Sequence, residues 1–190
     1  MHNKVLNRPD IAEAFIPMVE LQDHLRINDP HDEAIIEQYR SSAIDIAESY
    51  MNRVLGVCDA VASFETYKPR TYLPLGDIHS IEEVKAIDLN GYDVLIDRAN
   101  YQLNQTTNEL IFTYQFTVNM RSLRYTDFQV KYKVGYEVEA IPHAIKIGCM
   151  KLVATMFDSS REDVVVGASI SELPLNHQYC FDLHRIPSGG

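Results

Sequence analysis

The side chains best suited to chemistry lie near the C-terminal end, in His177-Gln178-Tyr179-Cys180-Phe181-Asp182-Leu183-His184. His177, Cys180 and His184 fall at i, i+3 and i+7, so on a helix they share one face and could bind zinc. No fourth ligand lies nearby, and closed structural zinc sites are nearly always four-coordinate. Tyr179, Phe181 and Leu183 give the same stretch an apolar alternation that would serve as well for docking. A second thiol, Cys149, has His143 six residues before it as a nominal base. On one helix that spacing puts the two on different faces, and Cys149 falls in an apolar stripe, so it reads as a core thiol. His24 and His79 read as ordinary surface or core histidines, and Asp77, Asp88 and Asp93 as turn residues. The sequence holds no GxSxG, HExxH, Walker loop, GxGxxG or EF-hand spacing. Those absences lower the expectation of an enzyme, and no cofactor or metal is expected.

The totals narrow the classes further. A chain of 190 residues with 46% hydrophobic content can bury one sizeable core, and two full domains would each be small. Seventeen Lys and Arg against 27 Asp and Glu give a formal charge of -10. An acidic surface repels phosphate backbones, so nucleic acid is expected only as something the protein lets pass. Cys58, Cys149 and Cys180 are an odd number at wide spacing with no CxxC, which reads as reduced thiols in a cytosolic setting. Met1-His2-Asn3-Lys4-Val5-Leu6 has no apolar core of a signal peptide, and no run approaches the roughly 18 apolar residues that span a bilayer. The expectation is a soluble chain that is neither exported by that route nor embedded in a membrane.

Several elements must position these groups. Met1 to Pro17 carries two prolines and a short apolar patch without sustained periodicity, which predicts an extension with at most one helical turn. Val19, Leu21, Leu25 and Ile27 predict a short helix over 18–27, and Asn28-Asp29-Pro30-His31-Asp32 a turn, with Asp32 as N-cap. Glu33 to Leu55 has the longest helical pattern, with Ile35, Ile36, Tyr39, Ala43, Ile46, Ala47, Tyr50, Met51, Val54 and Leu55 in one stripe and Gly56 as the stop. It should be about 35 Å long. The opposite face, with Glu37, Arg40, Asp45, Glu48 and Asn52, reads first as a solvated surface and second as a lumen or subunit contact.

From Val57 to Tyr136 the pattern turns to strands. Val57 to Thr66 is rich in β-formers, and Tyr72-Leu73-Pro74-Leu75-Gly76 breaks the run. Ile81 to Leu89 and Tyr92 to Ile96 flank Asn90-Gly91, a strong hairpin signal. Tyr101 to Leu103 and Glu109 to Phe112 are two further strands. Tyr114 to Asp127 reads as a loop or irregular hairpin, and Phe128, Val130, Tyr132, Val134 and Tyr136 alternate as a half-buried strand. A last helix follows over about 142–160, opened by Pro142, with Ile141, Ile145, Cys149, Leu152, Val153, Met156 and Phe157 on one face. Strands bracketed by helices predict an α+β fold: a small helical core with an antiparallel β block between its two helices.

Beyond Ser159-Ser160 come Val164-Val165-Val166, Gly167, the break at Leu173-Pro174 and the ending Pro187-Ser188-Gly189-Gly190. This predicts an extended arm. Val164 to Val166 is either a buried strand of the chain's own sheet or a segment added to a neighbour's sheet edge, and the following Gly and Pro favour the neighbour.

The order of features resembles the head-tail connector (adaptor, or head-completion) proteins of long-tailed bacteriophages. The matching pieces are Val19-Glu20-Leu21-Gln22-Asp23-His24-Leu25-Arg26-Ile27 before an acidic turn, Ala47-Glu48-Ser49-Tyr50-Met51-Asn52-Arg53 ending before Gly56, and Val130-Lys131-Tyr132-Lys133-Val134-Gly135-Tyr136. Ile141-Pro142-His143-Ala144-Ile145-Lys146, Arg161-Glu162-Asp163-Val164-Val165-Val166-Gly167, Glu172-Leu173-Pro174 and Leu183-His184-Arg185 continue the series. Residues 1–17 have no counterpart, and 72–127 match only in kind.

The resemblance implies a structural virion protein without catalysis, assembled in the host cytoplasm and placed at the head-tail junction. It implies a homo-oligomeric ring, dodecameric in the virion, that binds the portal protein above and a stopper or tail-completion protein below. DNA passes through its channel without sequence-specific binding. On this reading residues 1–17 are an N-terminal extension, 18–160 the connector core and 161–190 a docking arm. Val164, Val165, Val166, Gly167, Leu173, Leu183 and Arg185 are the portal-docking residues, and Glu37, Asp45 and Glu48 the channel-facing ones. The alternatives are a tail-side completion or terminator protein and, from a different class, a small cytosolic hydrolase.

Overall fold

Two glycines, Gly56 and Gly135, lie at or next to the sequence boundaries of the chain's structural units. The computed structural model describes residues 2–27, 30–120, 125–158 and 176–187. It divides the chain into one unit of Met1–Pro9 with Gly56–Tyr136 and another of Asp10–Leu55 with Glu137–Gly190, so each is made of two separate stretches of sequence.

Among its described residues the first unit is antiparallel sheet with one short α-helix. β1 (His2–Leu6), β2 (Cys58–Phe64), β4 (Ile78–Asp88), β5 (Asp93–Leu95) and β8 (Tyr125–Val134) form a five-stranded sheet in the order β1-β2-β8-β4-β5. β8 is its centre because its alternation offers Phe128, Val130, Tyr132 and Val134 to the core, all of them buried. Beside them lie Ala60 and Ala62 of β2 and Ile81, Val84 and Ala86 of β4, in register with Tyr132, Val130 and Phe128. Alanine opposite large residues lets the face pack closely. The predicted Asn-Gly hairpin forms, with Asp88 accepting hydrogen bonds at Oδ1 from the Asn90 and Tyr92 amides at 2.8 and 2.9 Å. β3 (Arg70–Tyr72), β6 (Tyr101–Asn104) and β7 (Glu109–Phe112) make a separate three-stranded sheet in the order β3-β7-β6.

Three expectations for this unit need correction. Residues 2–6, read as part of an extension, are an edge strand. Their sequence does not alternate, so only pairing with β2 reveals them. Within Tyr114 to Asp127, read as loop or hairpin, Tyr114–Met120 is a helix, α4. The Thr113 hydroxyl accepts from the Phe116 amide at 3.3 Å, and Phe116 stacks on Phe112 with centroids 5.2 Å apart. A side-chain cap and a tertiary ring contact start a helix that has no long periodic pattern. Tyr72, read as the start of a break, instead closes β3.

The second unit is helical. α1 (Ala12–Phe15), α2 (Met18–Leu25), α3 (Glu33–Met51), α5 (His143–Phe157) and α6 (His177–Asp182) are its helices among the described residues. α3 buries Ile36, Ala43, Ile44, Ala47 and Met51, and α5 buries Ile145, Cys149, Leu152 and Val153, as their spacing predicts. α3 is shorter than expected, about 28 Å, because Asn52 takes a left-handed conformation (φ 53°) and ends the helix four residues before Gly56. Asp32 occupies the N-cap position without a side-chain cap bond, and Ile46, placed in the apolar stripe by spacing, is 42% exposed. Arg40, expected on the solvated face, is buried: Nη1 donates to Glu13 Oε2 at 2.5 Å and to the Ile16 carbonyl at 2.8 Å, and Nη2 donates to Glu37. Three partners, one on α1, one at its C-cap and one on α3 itself, make burial of this charge tolerable.

The first unit closes at a contact with no room for a side chain. Gly135 has φ +121°, and a Cβ there would lie 2.3 Å from the Gly56 carbonyl oxygen. Gly135→Ala should therefore destabilise the fold by about 2–4 kcal/mol, as strain and backbone overlap combine. Gly91→Ala meets nothing within 4 Å and should cost only about 1 kcal/mol for its positive φ. Parallel denaturant melts of the two variants check the difference, and equal midpoints would contradict it.

Candidate docking surface

The C-terminal stretch singled out by its histidines and cysteine folds back onto its own unit. Asn176 caps α6, its side-chain oxygen accepting from the Tyr179 amide at 2.9 Å. Phe181 is completely buried and Cys180 nearly so, against α5 and α3. α5 makes the space with Gly148, where a Cβ would sit 2.5 Å from the Phe181 ring and 3.0 Å from Cys180 Cβ. The glycine is there for close approach, since a helix interior otherwise disfavours it.

A seam of polar contacts then fixes the chain end along the C-terminal turn of α3. The Tyr50 hydroxyl donates to Asp182 Oδ1 at 2.7 Å, and this bond, with the neighbouring negative charge, holds the phenol above its usual pKa. Arg53 Nε donates to the His184 carbonyl at 2.6 Å and Asn52 Nδ2 to the Ile186 carbonyl at 2.9 Å. The Ile186 amide donates to the Met51 carbonyl at 2.9 Å, satisfying an acceptor that the helix end would leave open. The Arg185 guanidinium lies 5.0 Å above the Tyr50 ring. Tyr179 and Leu183 are 51% and 64% exposed, so this outer edge presents apolar surface beside a cation.

The expected site residues are thus sorted. Of the docking set, Leu183 and Arg185 lie on this seam, in a turn and short tail rather than an extended arm; Val164, Val165, Val166, Gly167 and Leu173 lie outside the described residues. His177, Cys180 and His184 do not converge, and among the described residues no three His, Cys, Asp or Glu side chains are grouped to hold a metal. Cys180 points into the core, and His177 meets Phe181 edge-on at 6.0 Å. Cys149 is fully buried with its Sγ 3.8 Å from the Ala43 carbonyl, and burial pushes its thiol up to about 12, which disables it as a nucleophile at neutral pH. Among the candidate channel residues Asp45 is exposed, Glu37 pairs with Arg40, and Glu48 Oε1 accepts from the Leu55 amide at 2.7 Å. Among the described residues no helix is long and apolar enough to cross a membrane.

No family model matches the chain, and no curated protein matches it. Solved structures do. A chain in the neck of an empty gene transfer agent (GTA) particle, computed with C6 symmetry, superposes with a TM-score of 0.71 at 15% identity, covering 100% of this chain and 99% of that one. The fold is similar to that of a GTA neck chain. A chain in the neck of the native particle, computed with C12 symmetry, gives 0.69 at 12% identity with the same coverage, and one in the native GTA virion gives 0.70 at 15%. At such identities the likeness is one of fold, and it extends from end to end of the GTA chains. The α+β class expected from the sequence is therefore both the observed fold and a shared one. The C-terminal seam belongs to what was missed: α6 is only six residues long, and its one local signal, Asn176 before an apolar triplet, is weak.

Two measurements probe the seam. Gly148→Ala should speed hydrogen exchange of the α6 amides roughly tenfold to a hundredfold, the equivalent of 1–3 kcal/mol of overpacking, while the middle of β8 stays protected. Unchanged α6 exchange would contradict the packing. Burial holds His177 below its usual pKa, and burial with the Arg53 charge does the same to His184. The unfolded state then takes up protons first, so this contribution is complete above the ordinary value of 6.5 and is lost as pH falls below it. Intrinsic-rate-corrected exchange in α6 should accelerate as pH falls below the ordinary value of 6.5, and the double variant His177→Gln, His184→Gln should flatten that dependence.

Proposed function

We infer that the chain is a structural subunit of the neck of a tailed, phage-like particle, forming a ring that joins head to tail. The observation that carries this reading is the end-to-end likeness of fold to chains in GTA necks computed with C6 and C12 symmetry. A catalytic role finds no support at Cys149 and His143, since Cys149 is sealed in the core.

In the finer form of the proposal the ring is a dodecamer beneath the portal protein, with a stopper or tail-completion protein on its other side. It assembles in the host cytoplasm and leaves a channel through which DNA passes. The formal charge of -10 suits a wall that DNA slides past without adhering. Glu37, Asp45 and Glu48 are the proposed channel-facing acids, with Asp45 the most open to solvent. Val164, Val165, Val166, Gly167 and Leu173 are proposed to dock on the portal together with Leu183 and Arg185 of the seam. A weak contact per subunit suffices, because it is multiplied around the ring.

Removal of residues 161–190 would also strip Phe181 from the core, so substitutions test the docking role more cleanly. Val164→Asp combined with Val166→Asp should leave the melting transition within a few degrees of the parent and abolish co-sedimentation with portal-bearing heads. Retained co-sedimentation would defeat the docking assignment. Failure of the parent chain itself to bind heads would defeat the neck reading.

A further inference from the structure

Among the described residues the five-stranded sheet ends in two edges without a partner strand, β1 and β5, and they are complementary. We propose that the β5 edge of one copy pairs with the β1 edge of the next, as parallel strands, so that the sheets join head to tail around the ring. This rests on the ring reading above and assigns the surface that closes it.

Strand direction carries the first part of the argument. Every pairing in the sheet is antiparallel, so β1, β8 and β5 run one way and β2 and β4 the other. The two edges therefore point the same way. Rotation by a small angle about a ring axis nearly preserves strand direction, so a β5–β1 junction between neighbours must be parallel. A twofold dimer would instead pair like edges antiparallel.

The side chains supply the second part. From Asp88 to Asp97 there are three carboxylates and no cation, whereas His2 to Pro9 holds Lys4 and Arg8 and no acid. The hairpin is also unusually apolar for a free edge: Leu89, Tyr92, Val94 and Leu95 are 62, 70, 37 and 66% exposed. Such an edge is an invitation to pairing unless something covers it.

Register joins the two. Following the pairs across the sheet, His2, Ser63, Gln129, Lys85 and Leu95 form one row, so Lys4, Leu6, Asp93 and Leu95 all project from the same face. Val5 and Val94 project from the other, in line with buried Ala60 and Ala86. A parallel alignment that sets Asp93 beside Lys4 of the next copy also sets Val94 beside Val5 and Leu95 beside Leu6. Asp93, which already meets Lys85 of β4 at 3.4 Å, would then lie between two cations, and both apolar positions match without breaking the sense of either face. Ile96 donates from its amide to Val84 and Tyr92 accepts from Asp88, so alternation turns the backbone groups of Asp93 and Leu95 away from β4, toward the incoming strand.

Cysteine trapping tests the junction. In the full chain, Leu6→Cys with Leu95→Cys should give, on mild oxidation, a reducible ladder of dimers, trimers and larger species. Each single variant should give none, and the three native cysteines are buried. Lys4→Glu, at an exposed position, should leave the melting transition unchanged and weaken self-association about tenfold in light scattering. Rings by light scattering with no ladder would overturn the edge assignment and leave the neck reading standing. Dimers from a single variant as abundant as from the pair would mean twofold pairing of like edges, and would also overturn it. A ladder from a chain that does not bind heads would uphold the junction and count against the neck.

Discussion

The approach of Gly135 to Gly56 is the constraint on which the first unit depends. Each residue lies beside a point where the chain passes from one unit to the other, and the backbones come so close that no side chain fits between them. Around that contact, the Gly135 amide donates to the Asp77 carbonyl at 3.2 Å and its own carbonyl lies 2.8 Å from His79 Nε2. β2 starts just after Gly56, β8 ends just before Gly135, and β4 starts just after Asp77. The three central strands of the sheet are thus brought into line at one end by backbone proximity, and Cys58, Val134 and Ile78 stand opposite one another there. Discontinuity has a cost in chain entropy, since residues far apart in sequence must meet before the sheet can form.

Local signals carried the parts of the fold that are locally determined. The alternation of β8, the Asn90-Gly91 hairpin and the apolar stripe of α5 all lie where their residues predict, because burial on one face writes a period into the sequence. Elements held by distant partners left no such mark. β1 has three exposed residues and borrows its order from β2, α4 depends on Thr113 and two rings, and α6 needs Gly148 on another helix. Arg40 looked solvated because a helical wheel cannot show that Glu13 and the Ile16 carbonyl will be waiting on its side. The candidate residues followed the same rule: the spacing of His177, Cys180 and His184 was visible, but the burial that turns Cys180 away from its neighbours was not.

Packing of α6 changes what the chain end can do. An arm without internal contacts would lose all its conformational freedom on binding, and that loss would count against affinity. Residues 176–187 have met much of that cost within the unit, through Phe181 and the bonds to Met51, Asn52 and Arg53. In the proposed docking, Leu183 and Arg185 would be offered from a fixed base, and a partner that touched them would gain contact without ordering the backbone that carries them.

For the proposed ring, charge and edge pairing make opposite demands on an acidic chain. Copies of a chain with a formal charge of -10 repel one another, so a self-interface must be apolar or locally balanced. The sheet edges meet both conditions: Lys4 and Arg8 place positive charge on the β1 side, Asp88, Asp93 and Asp97 place negative charge on the β5 side, and Val5, Leu6, Val94 and Leu95 occupy the middle. Such an arrangement disfavours pairing of like edges, because two β5 strands would bring carboxylates together and two β1 strands would bring cations together. Only the unlike pairing relieves both, and an unlike pairing repeated by rotation ends either in a closed ring or in an open filament. Closure makes one more junction than an open chain of the same number of copies, and it leaves no exposed strand for further growth.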